Sequence, residues 1–158
     1  MVGFGSHDHD ACKASLLAVA EAVCAEKKLR LTPTRRRVLE LLLDEHKALG
    51  AYDILKHLAA EGLGSQPAIV YRALDFLLTH GFAHKVEKLN AFIACTHPQE
   101  EHTPAFMICK TCQSIAEIQL PFPQTILGEA GQTNGFKIEK TIVEAEGICP
   151  NCIDTGTA

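Results

Sequence analysis

Two CxxC motifs constrain this chain more than any other sequence feature: Cys109-Lys-Thr-Cys112 and Cys149-Pro-Asn-Cys152, with 36 residues between them. Four thiolates supplied as two such pairs are typical donors of a closed, tetrahedral zinc site. One metal shared by both motifs ties together strands that are distant in sequence, which predicts a small C-terminal domain held folded by zinc. The seven cysteines are an odd number, which does not fit a disulfide framework of the secreted kind.

The beginning of the sequence has no pattern typical of export. Residues 6–10 are Ser-His-Asp-His-Asp where a signal peptide has lysine or arginine, and Glu21 interrupts the apolar stretch that follows. No run approaches the roughly 18 apolar residues of a membrane span. We therefore expect a cytoplasmic protein without a membrane partner, whose cysteines bind metal.

The first half of the sequence predicts four helices followed by a hairpin. Apolar residues recur at helical spacing over about 11–28, from Pro33 onwards, over about 51–61 and over about 65–81. After Gly81 the period changes to about two, which predicts strands over 82–86 and 91–95. The second to fourth helices and this hairpin together predict a winged helix-turn-helix.

The second half is mostly strand-like. The segments 106–109, 114–118 and 136–143 have β-rich composition, and a helix is expected within 121–134. The fold class is therefore predicted to be α+β. We expect a winged-helix domain at 1–87, a wing and hinge at 88–94, and a small zinc-stapled α/β domain at 95–158.

The charge distribution is compatible with DNA binding by the first half only. The net charge of -4 excludes a uniformly basic binder, but residues 1–88 hold 12 of the 15 basic residues. On the fourth predicted helix, Arg72 lies nearly opposite the apolar stripe and Tyr71 lies at its edge, as in a recognition helix. Arginine can bind guanine bidentately and tyrosine can pack on a thymine methyl. Arg35, Arg36 and Arg37 are candidates for phosphate contacts.

Further candidate metal ligands surround the predicted domain boundary. A mixed set of nitrogen, sulfur and oxygen donors suits zinc, whereas a set without thiolate suits Fe(II) or Mn(II) better. The residue pattern alone does not choose among the candidates, which are His80, His84, Cys95, His97, His102 and Glu117.

Two enzymatic interpretations of the cysteines are disfavoured. A redox dithiol requires a helix that starts at its first cysteine, and the residues after Cys152 include Gly156 and show no helical pattern, so we expect no such helix. A zinc deaminase requires an HxE motif ahead of the second CxxC, and the sequence has none. We therefore predict that the protein is not an enzyme.

Three segments of the sequence are specific enough to compare with known families: Pro67-Ala-Ile-Val-Tyr-Arg-Ala-Leu-Asp-Phe-Leu-Leu, Gly81-Phe-Ala-His-Lys and Ile108-Cys-Lys-Thr-Cys112. They resemble the ferric uptake regulator family, in particular its zinc uptake regulator branch. With both CxxC motifs, the resemblance extends from about Leu16 to Cys152. Two positions depart from the family pattern. Ile69 replaces the usual threonine before Val-Tyr-Arg, and Gln113 replaces the glycine that usually follows the second cysteine of the first CxxC motif.

The resemblance implies a homodimer with an N-terminal winged helix and a C-terminal dimerisation domain. It also implies two zinc ions per chain, a structural one at the four cysteines of the CxxC motifs and a regulatory one at His84, Cys95, His102 and Glu117. The expected function is zinc-dependent repression of zinc uptake genes through palindromic operator DNA, with no small-molecule substrate other than the metal. The HHDH stretch of iron sensors is absent before the first CxxC motif.

Two alternative functions remain open from the sequence. The chain could be an iron or peroxide sensor of the same family, which metal competition in DNA binding would reveal. It could also be a zinc-buffering or thiol-redox protein without a DNA function, in which case Arg72 would have no role.

Overall fold

The computed structural model describes Phe4 and residues 9–44, 47–98, 100–120 and 123–154. The chain forms two compact units: an N-terminal unit of residues 5–99, and a C-terminal unit of residues 100–158 to which residues 1–4 also belong. The boundary between the units lies a few residues after the predicted one. Cys95 belongs to the N-terminal unit because its backbone N–H donates to the Phe82 carbonyl (2.9 Å), which joins it to the hairpin. None of the described helices is long and apolar enough to cross a membrane.

The N-terminal unit contains the predicted helices and hairpin. Its elements are α1 (His9–Glu26), α2 (Pro33–Asp44), α3 (Ala51–Ala60), α4 (Pro67–Thr79), β1 (Ala83–Val86) and β2 (Ala91–Ala94). β1 and β2 pair antiparallel, from Ala83 opposite Ala94 to Val86 opposite Ala91. Leu49 extends this ladder, since it exchanges two backbone hydrogen bonds of 2.8 Å with Phe92.

The apolar stripes predicted for the helices form the core of this unit. The largest of its nearly inaccessible side chains come from α2, α3 and α4, with the phenylalanine that precedes β1 beside them. They are Val38, Leu42, Ile54, Leu58, Val70, Leu74, Leu77 and Phe82, each 2 percent exposed or less. Burying these side chains is the main favourable contribution to folding, and it fixes which face of α4 remains outside.

The C-terminal unit is a three-stranded sheet with two helices. Its elements are β3 (Ala105–Cys109), β4 (Ile115–Ile118), α5 (Pro123–Thr133), β5 (Val143–Gly147) and α6 (Pro150–Asp154). The strand order is β4-β3-β5, with β4 antiparallel and β5 parallel to the central β3. Parallel strands end at the same edge, so Cys109 at the end of β3 lies opposite Gly147, two residues before Cys149.

Two expectations for this unit are wrong. The strand predicted over 136–143 coincides with β5 only at Val143, because the register with β3 begins there and continues to Gly147. Within 136–142, the Ile138 side chain lies beside Gly131 of α5 instead. A short helix, α6, also begins directly after Cys149, where we expected no helix, and the N–H groups of Cys152 and Ile153 donate to the Cys149 carbonyl.

Candidate metal centres and nucleic-acid interface

The four cysteines of the CxxC motifs form one sulfur cluster. Their Sγ atoms all lie within 4.8 Å of one another, and the Cys112 and Cys149 sulfurs are 3.7 Å apart. A disulfide would require about 2.05 Å, and none of the four cysteines is in a disulfide. Tetrahedral zinc with Zn–S bonds of about 2.3 Å separates its sulfurs by about 3.8 Å, so the donor set fits a closed zinc site.

The surroundings of this cluster shift the thiol pKa values in opposite directions. Hydrogen bonds from the backbone of Cys112, and then of Cys149, lower the pKa of Cys109 to about 6. Hydrogen bonding to Ser114 lowers the pKa of Cys112. Burial raises the pKa of Cys149, and it raises that of Cys152 to about 12. A metal cation at this cluster would favour all four thiolates together.

At the second CxxC motif, the direction of the pKa shift disfavours thiol-redox chemistry. The attacking cysteine of a redox CxxC is the first of the motif, and its pKa must be lowered for it to react. Although α6 begins beside Cys149, it has only five residues, and burial raises the pKa of this thiol.

In the N-terminal unit, His84 and Cys95 lie on one face of the hairpin. The β1–β2 register makes them diagonal neighbours, and a His84 ring nitrogen lies within 4.8 Å of the Cys95 sulfur. Cys95 is 2 percent exposed, and its sulfur accepts a hydrogen bond of 3.4 Å from the N–H of His97. The pair therefore offers one imidazole and one ordered sulfur donor.

In the C-terminal unit, His102 and Glu117 form a second pair. Glu117 is the only charged side chain that is buried among the described residues, and its Oε1 lies 2.9 Å from His102 Nε2. His102 Nδ1 lies 2.7 Å from the Glu100 carbonyl oxygen. Both ring nitrogens thus face oxygen acceptors, and a neutral imidazole, with one N–H, can donate to only one of them. One further proton on the His102–Glu117 pair, at Nε2 or on the carboxyl group, resolves this mismatch, and so does a metal ion at Nε2.

The other two candidate histidines, His80 and His97, have different neighbours. The His80 ring packs on Phe76 with a centroid distance of 4.6 Å, and His97 Nδ1 lies 2.9 Å from Thr96 Oγ1. Within the described part of the chain, neither belongs to a group of three or more potential metal donors.

Helix α4 presents the predicted recognition surface. Tyr71 is 52 percent exposed and Arg72 is exposed, whereas Val70, Ala73 and Leu74 beside them are buried. Near the start of the helix, the Ile69 side chain packs over Gly64, where an added Cβ would come within 2.6 Å of Ile69 Cδ1. Ile69 therefore stabilises the turn between α3 and α4.

The three predicted phosphate-contacting arginines are engaged inside the N-terminal unit. Arg37 binds both carboxylate oxygens of Glu61 (2.7 and 2.8 Å), and Arg36 pairs with Glu40 and Glu21.

Arg35 donates to the Arg30 carbonyl (2.6 Å), and its guanidinium lies 3.9 Å from the centre of the Phe76 ring. These contacts brace α1, α2, α3 and α4 against one another, and the predicted phosphate contacts remain a prediction.

Three residues beside these sites were not predicted from the sequence. Tyr52, at the first turn of α3, is 75 percent exposed and shares a cavity of about 380 Å³ with Tyr71. Ser114 contacts the Cys112 sulfur, and Phe4 packs on the sulfur cluster. Ser114 could have been found from its place two residues after a CxxC motif, whereas nothing in the sequence relates Phe4 to cysteines more than 100 residues away.

Comparisons with known proteins agree with this architecture. The profile described as "Ferric uptake regulator family" matches residues 26–146. The zinc uptake regulation protein of Escherichia coli (strain K12) is 39 percent identical over 140 residues, which cover 88 percent of this chain and 82 percent of that protein. A solved zinc uptake regulator complexed with zinc and DNA superposes with a TM-score of 0.87 at 37 percent identity, over 92 percent of this chain and 98 percent of that one. The holo form of the regulator XcZur gives 0.81 at 38 percent identity, over 89 and 98 percent.

Proposed function

This chain belongs to the ferric uptake regulator family, and we propose that it is a zinc-dependent transcriptional repressor of zinc uptake genes. It acts in the cytoplasm as a homodimer on palindromic operator DNA. The proposal is supported by the similarity to zinc uptake regulators and by donor sets that contain sulfur, which suit zinc better than Fe(II) or Mn(II).

Each chain uses two zinc ions in this proposal. The structural ion is held by Cys109, Cys112, Cys149 and Cys152, whose sulfur spacing agrees with tetrahedral zinc. It joins the ends of β3 and β5 in a unit whose sheet has only three strands, and so supplies stability that a small core cannot.

The regulatory ion takes His84 and Cys95 from the N-terminal unit and His102 and Glu117 from the C-terminal unit. The observation that carries this assignment is the buried Glu117 carboxylate facing an imidazole whose other nitrogen already faces a carbonyl oxygen. Buried charges in proteins are paired or coordinate metals. If His102 Nδ1 donates to Glu100, Nε2 carries a lone pair that can bind zinc beside the carboxylate.

Such an ion couples metal binding to DNA binding. With zinc bound by residues of both units, the angle between the two winged helices of the dimer is fixed, and both α4 helices can enter successive major grooves. Without it, the units sample arrangements with the wrong spacing. The coupling is expected to be about 1 to 3 kcal/mol, and reciprocity requires operator DNA to tighten zinc binding by the same factor.

The DNA-binding surface is centred on Arg72 and Tyr71, which stand exposed near the start of α4. Arg72 reads a base edge and Tyr71 packs on a base methyl. Arg35, Arg36 and Arg37 add positive potential towards phosphates, in a supporting role, because each is also held by contacts inside the unit.

Dimerisation uses an apolar surface beside α5. Phe136 is 68 percent exposed, Leu127 is 45 percent exposed, and a groove of about 520 Å³ lies between them and Ile138. Exposed apolar patches of this kind mark association surfaces. A second copy of the chain is the occupant we propose.

Phe136→Glu is expected to weaken the dimer by roughly 30-fold or more, since aromatic residues at the centre of an interface contribute about 2 kcal/mol or more. Analytical ultracentrifugation would measure the dissociation constant. Leu89→Glu is the matched control, because Leu89 is exposed in the turn of the N-terminal hairpin and should leave the dimer intact. An unchanged dissociation constant for Phe136→Glu would assign dimerisation to another surface.

Variants of the regulatory set test the function itself. Cys95→Ser, His84→Ala and His102→Ala should each raise the free zinc needed for half-maximal operator binding by at least about tenfold, since each removes one donor of the ion. Glu117→Ala should have a milder effect, because water can replace an oxygen donor. Fluorescence anisotropy with labelled operator in zinc buffers would measure the midpoint, and all four variants should keep the structural zinc and the dimer.

His97→Ala and His80→Ala are the matched controls for this series. If His97→Ala abolished zinc-dependent DNA binding while His102→Ala left it intact, the ligand assignment would be wrong at that position. The same assay with Fe(II) or Mn(II) as activating ion tests the iron and peroxide alternatives, and DNA binding that responds to no metal would favour zinc buffering.

A further inference from the structure

The four-cysteine cluster is in contact with a residue from the opposite end of the chain. The Phe4 side chain is half-buried against the group formed by Cys109, Cys149 and Cys152. The Asn151 side-chain amide donates a hydrogen bond of 3.1 Å to the Phe4 carbonyl oxygen. Two separate contacts, one apolar and one polar, thus connect Phe4 to the knuckle that contains Cys149 and Cys152.

The position of Phe4 suits a role in protecting the sulfurs. Aromatic rings make favourable contacts with sulfur, and a ring packed on a thiolate cluster keeps water and soluble chelators from it. Cys109, Cys149 and Cys152 are between 1 and 8 percent exposed, whereas Cys112 is half-buried. The three best-protected sulfurs are therefore those of the group on which Phe4 packs.

From these contacts we propose that Phe4 is a positioning residue of the structural metal centre, which slows release of the bound ion by covering its sulfur ligands. Phe4 itself is held to the knuckle by the hydrogen bond from Asn151. This inference rests on the proposed structural zinc and extends it, because it assigns a role at that site to a residue far from both CxxC motifs.

The direct test places the zinc-loaded dimer in excess EDTA. The release of the structural zinc over time is measured by titrating the cysteine thiols that become accessible. Phe4→Ala should release the structural zinc roughly tenfold faster, the order expected when about 1.4 kcal/mol of apolar contact is lost. Phe4→Leu, which retains an apolar side chain, should restore most of the slow release. Asn151→Ala should also speed release, and the double variant Phe4→Ala/Asn151→Ala should add little, since both changes act on the position of the same residue.

Ile153→Ala is the matched control, because Ile153 is 59 percent exposed and directly follows Cys152. It should release zinc at the wild-type rate. Equal release rates for wild type and Phe4→Ala would overturn the role of Phe4 while leaving the zinc site in place. Absence of tightly bound zinc from the wild-type cysteines would overturn the proposed structural site and this inference together.

Discussion

Replacing Cys112 with serine is expected to reduce tightly bound zinc at the structural site from about one ion per chain to near zero. Three cysteines remain, but the fourth corner of the tetrahedron is lost, and with it the link between the ends of β3 and β5. Because this unit also carries the proposed dimerisation surface, the variant should fail to dimerise or to fold its C-terminal unit.

Metal analysis after mild chelation and size-exclusion chromatography would measure both losses. Cys12→Ser is the control, since Cys12 is half-buried on α1 and belongs to neither of the two proposed ligand sets. It should keep wild-type zinc content and the dimer. A stable, dimeric Cys112→Ser protein with its zinc retained would contradict the closed four-sulfur site.

Replacing Arg72 with alanine is expected to weaken specific operator binding by about 1 to 3 kcal/mol, the range for loss of one bidentate arginine–base contact. Zinc content and dimerisation should not change, because Arg72 is exposed on α4 and lies outside both ligand sets. Titration of labelled operator at fixed salt, with and without zinc, would measure the loss.

Arg72→Lys separates base recognition from charge. Lysine keeps the positive charge but lacks the planar fork of donors, so this variant should lose specificity while it keeps most affinity for nonspecific DNA. Thr79→Ala, on the exposed part of the same helix, should bind as wild type. Unchanged operator affinity in Arg72→Ala would remove this residue from recognition and favour a function without DNA.

The sequence predicted the elements whose cause is local. Helical periodicity identified α2, α3 and α4, and the change to a period of two located the β1–β2 hairpin, because these patterns report which side of each element is buried. The same periodicity placed Arg72 on the outer face of α4, where the structure has it. The two CxxC motifs predicted one sulfur cluster because the spacing within each pair suits a single metal.

Contacts between segments that are distant in the chain could not be predicted from the sequence. The β-rich composition of 136–143 predicts a strand there, but the strand is Val143–Gly147, because pairing with β3 determines where β5 begins. Arg35, Arg36 and Arg37 contact Phe76, Glu21 and Glu61 on other parts of the N-terminal unit, while their predicted phosphate contacts remain a prediction. Charge counts cannot show which partner an arginine meets.

By itself, then, the sequence determined the helix-rich first half, the hairpin, the exposed position of Arg72 and the sulfur chemistry of the C-terminal unit. Only the tertiary structure decided the register of β5, the buried pairing of His102 with Glu117, and the contact of Phe4 with the cysteine cluster. The physical reason is that periodicity and motif spacing record the environment of neighbouring residues, whereas register, burial of a carboxylate and long-range docking depend on which distant surfaces pack together.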